Sequence, residues 1–151
     1  MTDLATARRH LDQRLGRFRP IEQFRPPPRG WLRAIRDGLG MTTAQLAKRL
    51  GRAQSRINAL EQAEVSGAVS LKTLAQAAEA LDCALVYALV PRRPLEEVVN
   101  ARARDLAAAH ALAAGHSMIL EAQGIDAAAK RRMIDDLARR LLTGRASRLW
   151  T

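Results

Sequence analysis

Cysteine and aromatic residues are scarce in this chain of 151 residues. A single cysteine, Cys83, excludes an intramolecular disulfide framework and a zinc site built from cysteines. With two Phe, one Tyr and two Trp, few rings are available to stack on unpaired bases, which disfavours an RNA-binding protein. No apolar run has the length of a membrane span and no apolar signal segment follows Met1. We therefore expect a cytoplasmic, nucleoid-associated protein that does not enter a membrane.

Residue patterns typical of catalysis and metal binding are also missing. The sequence has no Ser, His and acid constellation, no phosphate-cradling Gly loop and no acidic metal cluster. His10, His110 and His116 are not at ligand spacing with carboxylates or Cys on one predicted helix, so surface histidines explain them better than a metal site does. We expect no cofactor and no enzymatic activity, and predict that the chain acts by binding.

The charge of the chain is strongly positive. Twenty-five Lys and Arg against 15 Asp and Glu give a net charge of +10. The excess lies toward both ends, because residues 1–40 contain nine Arg and four acids, and residues 126–151 contain seven basic residues and three acids. Such a balance suits a polyanion such as DNA. For the basic ends themselves, direct DNA contact and plain solvated surface both remain open.

The segment TTAQLAKRLGRAQSRINALE, residues 42–61, has the spacing of a helix-turn-helix. The small Ala47 allows two helices to approach, and Gly51 can take the positive φ that the turn requires. Ile57 and Leu60 direct the apolar side of the second helix inward. A plain amphipathic helix pair would explain the Leu and Ile positions but not the Ala and the Gly. The segment therefore predicts sequence-specific binding to double-stranded DNA.

This segment resembles the Xre or Cro-type repressors, whose helical domain would here cover residues 30–82. In that family an Arg on the first helix commonly pairs with a Glu ending the recognition helix, which implies a structural ion pair between Arg36 and Glu61. The departures from the family pattern are Thr43 in place of Gln and Ala53 in place of a Ser or Thr cap. The resemblance implies phosphate contacts and base contacts from six residues: Thr43 and Arg52 near phosphates, and Gln54, Ser55, Arg56 and Asn58 on the exposed face of the recognition helix.

Helical patterns account for most of the remaining sequence, so we predict a mostly α fold. In residues 1–18, Leu4, Ala7, Leu11 and Leu15 recur at helical spacing and form one apolar face that needs a partner. Residues 19–29 contain four Pro and should form a stiff linker. Within residues 30–82 we expect helices at about residues 31–39, two within the helix-turn-helix segment, and one at residues 70–81.

Residues 83–91, CALVYALVP, predict one short dimerisation strand. A single strand cannot satisfy its own backbone donors and acceptors, and the simplest partner is the same strand in a second copy, so we predict a homodimer. The arrangement resembles HipB-type antitoxin repressors, in which a strand after the repressor domain forms a sheet between subunits. Two recognition helices about 34 Å apart would then contact a near-palindromic site in the chain's own promoter. In the alternative interpretation these apolar residues extend the preceding helix into the core.

Residues 92–151 predict a C-terminal helical extension, and a family resemblance implies that this extension binds a toxin. The stretch from His116 to Gln123 contains the pattern Ser-x-x-x-Glu, which puts Ser117 and Glu121 on one helix face. It resembles the inhibitory helix of Fic antitoxins, although Ala122 replaces the family's Gly or Asn. In that family the Glu pairs with a toxin Arg that otherwise holds the γ-phosphate of ATP. A carboxylate paired bidentately with a guanidinium can stand where a phosphate oxygen would.

The order of segments strengthens this hypothesis. GWLRAIRDGLGMT, LAKRLG and SLKTLAQAAEALDCALVYALVPRRPLEE together resemble the family called mobile mystery protein A, whose members are typically encoded beside a Fic-domain protein. The resemblance implies an antitoxin that represses its own operon and inhibits a Fic-type adenylyltransferase. The alternative is an Xre-family repressor whose C-terminal helices bind a non-Fic partner, such as a HipA-like kinase, or serve only dimerisation.

Overall fold

The computed structural model describes residues 3–118 and 126–151, and for residues 115–118 it describes the backbone alone. The described residues are mostly helical, as predicted, and divide into two compact units. We call residues 18–89 the central unit, and residues up to 17 together with residues 90–151 the flanking unit. The α-helices are α1 (Leu4–Leu15), α2 (Trp31–Gly38), α3 (Thr43–Leu50), α4 (Gln54–Ser66), α5 (Leu71–Ala80), α6 (Leu95–Met118) and α7 (Ala127–Thr143). Short 3-10 helices cover Gly16–Phe18, Ile21–Phe24 and Ala146–Trp150.

In the central unit, helices α2 to α5 surround one apolar core. Leu46 of α3 and Ile57 of α4 are completely buried at its centre. The small Ala47 is also buried, which lets α3 and α4 pack closely. Removing side chains of the size of Leu and Ile from water stabilises a fold by about 1.5–3 kcal/mol each. The core therefore fixes which face of α4 remains in solvent.

Local sequence signals set the ends of these helices. Thr42 and Gln45 form a reciprocal capping box at the start of α3. Gly51 ends α3 at φ 61°, in the left-handed region where glycine carries no steric penalty. The side-chain oxygen of Ser70 accepts a hydrogen bond from the Thr73 backbone N–H at 3.1 Å and caps α5. Ala53 offers no such cap to α4, in line with its departure from the family pattern.

The flanking unit is built on α6, which packs against α1, α7 and the 3-10 helix Ala146–Trp150. Its core contains Val99, Ala103 and Ala107, spaced four residues apart on α6, together with Ala138 of α7. Leu149 completes this core with 1% of its surface exposed, and Arg102 Nε donates a hydrogen bond to the Leu149 carbonyl oxygen at 2.7 Å. The neighbouring Trp150 is 58% exposed.

Helix α1 contacts α6 through polar groups. The Asp12 carboxylate accepts hydrogen bonds from the backbone N–H groups of Leu95 at 2.7 Å and Glu96 at 3.2 Å, and so caps the start of α6. Arg8 Nε forms an ion pair with the Glu96 carboxylate at 2.9 Å. The apolar periodicity of α1 predicted that Leu4 and Leu11 lie on the face that meets a partner, but these side chains remain 60% and 48% exposed. The partner that α1 needs is thus α6, and the contacts include hydrogen bonds to Asp12 and an ion pair with Arg8.

The expected strand at residues 83–91 is absent from the described structure, which has no strand at these positions. The helical alternative is also wrong, because α5 ends at Ala80 and Asp82 takes a φ of 57°. A strand exists only when a second strand pairs with it, and the described residues of one copy include no strand that does so. Val86, Tyr87 and Leu89 are more than 70% exposed.

Across residues 3–118 and 126–151, no helix combines the length and the apolar character that crossing a membrane requires.

Candidate nucleic-acid interface

The first two turns of α4 present a polar face to solvent. Ile57 and Leu60 are buried in the core of the central unit, which turns the opposite side of α4 outward. The four side chains predicted to face bases are all exposed on these turns: Gln54, Ser55, Arg56 and Asn58. The apolar period of the helix accounts for their exposure, since residues outside the buried stripe of an amphipathic helix face solvent.

A hydrogen bond connects the start of α4 to the start of α3. Gln54 Nε2 donates to Thr43 Oγ1 at 2.9 Å. This contact uses one of the two amide N–H groups of Gln54, and the second N–H and the Oε1 acceptor have no partner among the described residues. An amide donor and acceptor side by side are what a glutamine needs to bind the N7 and N6 atoms of adenine in the major groove. Thr43, predicted near a phosphate, thus holds the side chain of Gln54.

Arg52 lies in the turn between α3 and α4 and leans toward α5. Its Nη2 donates to Gln76 Oε1 at 3.3 Å, a long contact between exposed side chains. The other N–H groups of this guanidinium have no protein partner among the described residues and can donate to a phosphate. Its predicted phosphate contact remains a prediction.

The structure brings Arg36 and Glu61 together in the core of the central unit. Arg36 Nε and Nη2 donate to the two Glu61 carboxylate oxygens at 2.7 and 3.3 Å, and both side chains are less than a tenth exposed. Arg36 Nη1 also donates to the Met41 carbonyl oxygen at 2.9 Å and contacts Asp37 at 2.7 Å. The hydrogen bond to Glu61 is the main cause that raises the Arg36 pKa above its ordinary value, against the effect of burial. This network ties α2, α4 and the loop before α3 together.

A second carboxylate of α4 has a structural role that the sequence did not predict. Glu64 accepts hydrogen bonds from the backbone N–H groups of Trp31 at 2.9 Å and Leu32 at 3.0 Å, which caps the start of α2. Gly30 makes room for it at φ 82°, because a Cβ there would lie 2.6 Å from Glu64 Oε2. The available signal was the lack of a Ser, Thr, Asp or Asn cap before Trp31, which left the first N–H groups of α2 in need of a distant acceptor.

An open cleft of about 590 Å³ lies beside the exposed face of α4. Pro28, Arg29 and Arg33 line it on the side of α2, and Asn58, Gln62 and Val65 line it on the side of α4. Asn58 belongs both to the cleft and to the polar face at the start of α4. The cleft is therefore continuous with the surface predicted to contact bases.

The toxin-inhibiting residues lie at the edge of the described structure. Ser117 belongs to the last turn of α6, and Glu121 lies outside the described residues. His10 and His110 are exposed, and no group of three His, Cys, Asp or Glu in the described ranges could hold a metal ion.

Comparison with known protein families supports the interpretation of the central unit. The family model described as Helix-turn-helix matches residues 32–87, which include α3 to α5 and all of α2 except Trp31. The chain thus carries an Xre-like helix-turn-helix domain, and the prediction of a DNA-binding domain in this part of the sequence is confirmed. No curated protein and no solved structure shows a match to the chain.

Proposed function

We propose that this chain represses transcription by binding the promoter of its own operon. The observation that carries the proposal is the solvent-facing start of α4, where Gln54 is held by Thr43 next to Ser55, Arg56 and Asn58. The Helix-turn-helix match and the net charge of +10 support the same function. In this proposal the chain acts by binding and catalyses no reaction.

Base recognition by α4 is tested by replacing single side chains on its exposed face. Gln54→Ala or Arg56→Ala should lower affinity for a duplex of the chain's own upstream region by about 1–3 kcal/mol if the residue makes a bidentate base contact. Affinity for a scrambled duplex of equal length should change little. Fluorescence anisotropy titration measures both, with the exposed Gln13→Ala of α1 as the matched control. Equal losses on the two duplexes would contradict base recognition.

We further propose that the repressor is a homodimer joined through residues 83–91. In one copy this segment exposes Val86, Tyr87 and Leu89. A second copy could pair with its backbone and cover these side chains. A dimer would also supply two recognition helices for a near-palindromic operator, and thereby more affinity than one domain alone.

We also propose that the chain is the antitoxin of a Fic-type adenylyltransferase, with Glu121 as the residue that blocks the toxin. The proposal rests on the Ser-x-x-x-Glu pattern of Ser117 and Glu121 and on the order of segments shared with the mobile mystery protein A family. The helical flanking unit is consistent with it, because α6 continues to Met118 and carries Ser117 in its last turn.

Co-expression with the neighbouring gene product tests the antitoxin proposal. We expect the unchanged chain and the control Glu97→Ala, which alters an exposed glutamate of α6, to permit growth. Glu121→Ala should still copurify with the neighbour while growth arrests. If growth does not depend on Glu121, the antitoxin proposal fails; the DNA-binding repressor remains, and its flanking unit would bind a HipA-like kinase or a second copy.

A further inference from the structure

The cleft beside α4 begins where the predicted base-reading face ends. Asn58 and Gln62 stand four residues apart on α4, so both side chains lie on one side of the helix. Across from them are Arg29, just before α2, and Arg33 in its first turns. Whatever occupies this cleft lies beside Asn58, one of the residues that are proposed to contact bases.

The charge that the cleft offers a ligand is positive. Glu61 is its acidic lining residue, and its carboxylate is neutralised by the two hydrogen bonds from Arg36. Arg29 is exposed and makes no hydrogen bond or ion pair with any described residue. Arg33 forms an ion pair with Asp37, 3.6 Å from Nε to Oδ2, and its buried Nε has no hydrogen-bond partner among the described residues. Asp37 contacts Arg36 more closely, at 2.7 Å.

The backbone that carries the two arginines is held in place. Pro28 restricts its own φ, and the Gly30 N–H donates to the Pro27 carbonyl oxygen at 2.9 Å, closing a turn around Arg29. Glu64 then fixes the next two residues through the Trp31 and Leu32 N–H groups. A cation on a fixed backbone loses less conformational freedom when it binds an anion than one on a mobile arm does.

The dimensions of DNA indicate which anion would bind in the cleft. An α-helix with its side chains is about 10–12 Å wide and fills a major groove of about 12 Å, so the phosphate strands lie along both sides of a bound helix. We propose that the cleft receives the phosphodiester strand bordering the major groove, with Arg29 and Arg33 bonding phosphate oxygens and Gln62 donating its amide. This inference rests on the proposed DNA-binding function and adds the residues that position α4 in the groove.

The test is the salt dependence of binding to two 30-base-pair duplexes, one from the chain's own upstream region and one scrambled. Each phosphate contact contributes about 0.9 to the slope of log affinity against log salt concentration. Arg29→Ala and Arg33→Ala should each lower the slope by about 0.9 and reduce affinity about eightfold at 0.1 M salt, on both duplexes alike. The ratio between the two affinities should stay constant, in contrast to Gln54→Ala.

Arg25→Ala is the matched control, because Arg25 is an exposed arginine of the same Pro-containing segment outside the cleft. The Arg25→Ala variant should keep the salt slope of the unchanged chain. A double variant with Arg29→Lys and Arg33→Lys should regain most of the slope that the two alanine substitutions remove. An unchanged slope in the Arg29→Ala and Arg33→Ala double variant, or an equal fall in the Arg25→Ala control, would overturn the phosphate cleft. If the unchanged chain binds neither duplex, the DNA-binding proposal fails first, and this result is distinct from a failure of the cleft alone.

Discussion

At the scale of single residues, one glycine permits a carboxylate to serve as a distant helix cap. Gly30 takes a φ of 82°, and the space where a Cβ would lie is occupied by Glu64 Oε2. The carboxylate then reaches the first free N–H groups of α2, at the positive end of the helix dipole. The start of α2 therefore depends on a residue of α4, which also keeps Arg29 beside the recognition helix.

Gly30→Ala should destabilise the central unit more than Gly40→Ala. Both glycines have positive φ, 82° and 65°, and Gly30 also has a ψ of 163°, in a region that is essentially restricted to glycine, so alanine there incurs a backbone penalty of about 1–3 kcal/mol. Only at Gly30 would the new Cβ displace Glu64, whereas nothing lies within 4 Å of one at Gly40. Losing the cap should add about 1 kcal/mol, within the 0.5–2 kcal/mol typical of helix caps.

Urea unfolding followed by Trp31 fluorescence measures this difference. A Trp150→Phe background leaves Trp31 as the single tryptophan, and Trp31 belongs to the central unit. Glu64→Ala should then cost less in the Gly30→Ala variant than in the unchanged protein, since the cap is already lost. Equal destabilisation by the two glycine substitutions would show that the Glu64 cap contributes no stability.

At the scale of secondary-structure elements, α6 has an unusual start. Its cap is Asp12 of α1, 83 positions earlier than Leu95 in the sequence, and the Arg8–Glu96 ion pair adds a second contact between the two helices. A partly exposed pair of this kind contributes little by itself. The cap is the stronger contact, because it satisfies two N–H groups that the helix cannot pair internally.

Asp12→Ala should destabilise the flanking unit by about 1 kcal/mol, in the range of about 0.5–2 kcal/mol for a lost N-cap. Asp3→Ala is the control, since Asp3 stands at the cap position of α1 without a side-chain capping bond. Trp150 fluorescence in a Trp31→Phe background reports unfolding of the flanking unit in urea. A midpoint that falls as far in Asp3→Ala as in Asp12→Ala would argue against the cap.

The same elements show how far the sequence determines the structure. Local signals placed the helices of the central unit, because Thr42, Gly51 and Ser70 act on neighbouring residues. The exposed face of α4 followed from its apolar period. The Glu64 cap, the Asp12 cap and the cleft beside α4 could not be predicted, since each depends on helices that meet only after folding. The expected strand failed for a related reason: its partner would have to come from another chain.

At the scale of the whole molecule, the exposed connection between the two units is where a second copy should bind. Leu89 is 86% exposed in one copy, so Leu89→Asp should leave the fold intact and weaken the proposed dimer. Leu39→Asp is the matched control, because Leu39 is 57% exposed elsewhere in the central unit. Sedimentation equilibrium should show twice the mass of one chain for the unchanged protein and the control, and one chain for Leu89→Asp. A single-chain mass for the unchanged protein at every concentration would refute the dimer.

The capping of α6 by Asp12 has a consequence for synthesis on the ribosome. At about 5–20 residues per second, roughly 4–17 s pass between translation of Asp12 and translation of Leu95, which lies 83 positions later. The helix-turn-helix, whose residues lie between these two points, is translated in that interval, whereas α1 must wait for α6. A nascent chain would therefore complete the part that binds DNA before the unit that α1 and α6 build together. Repression would then be the first of the two proposed activities to become available on each newly made molecule.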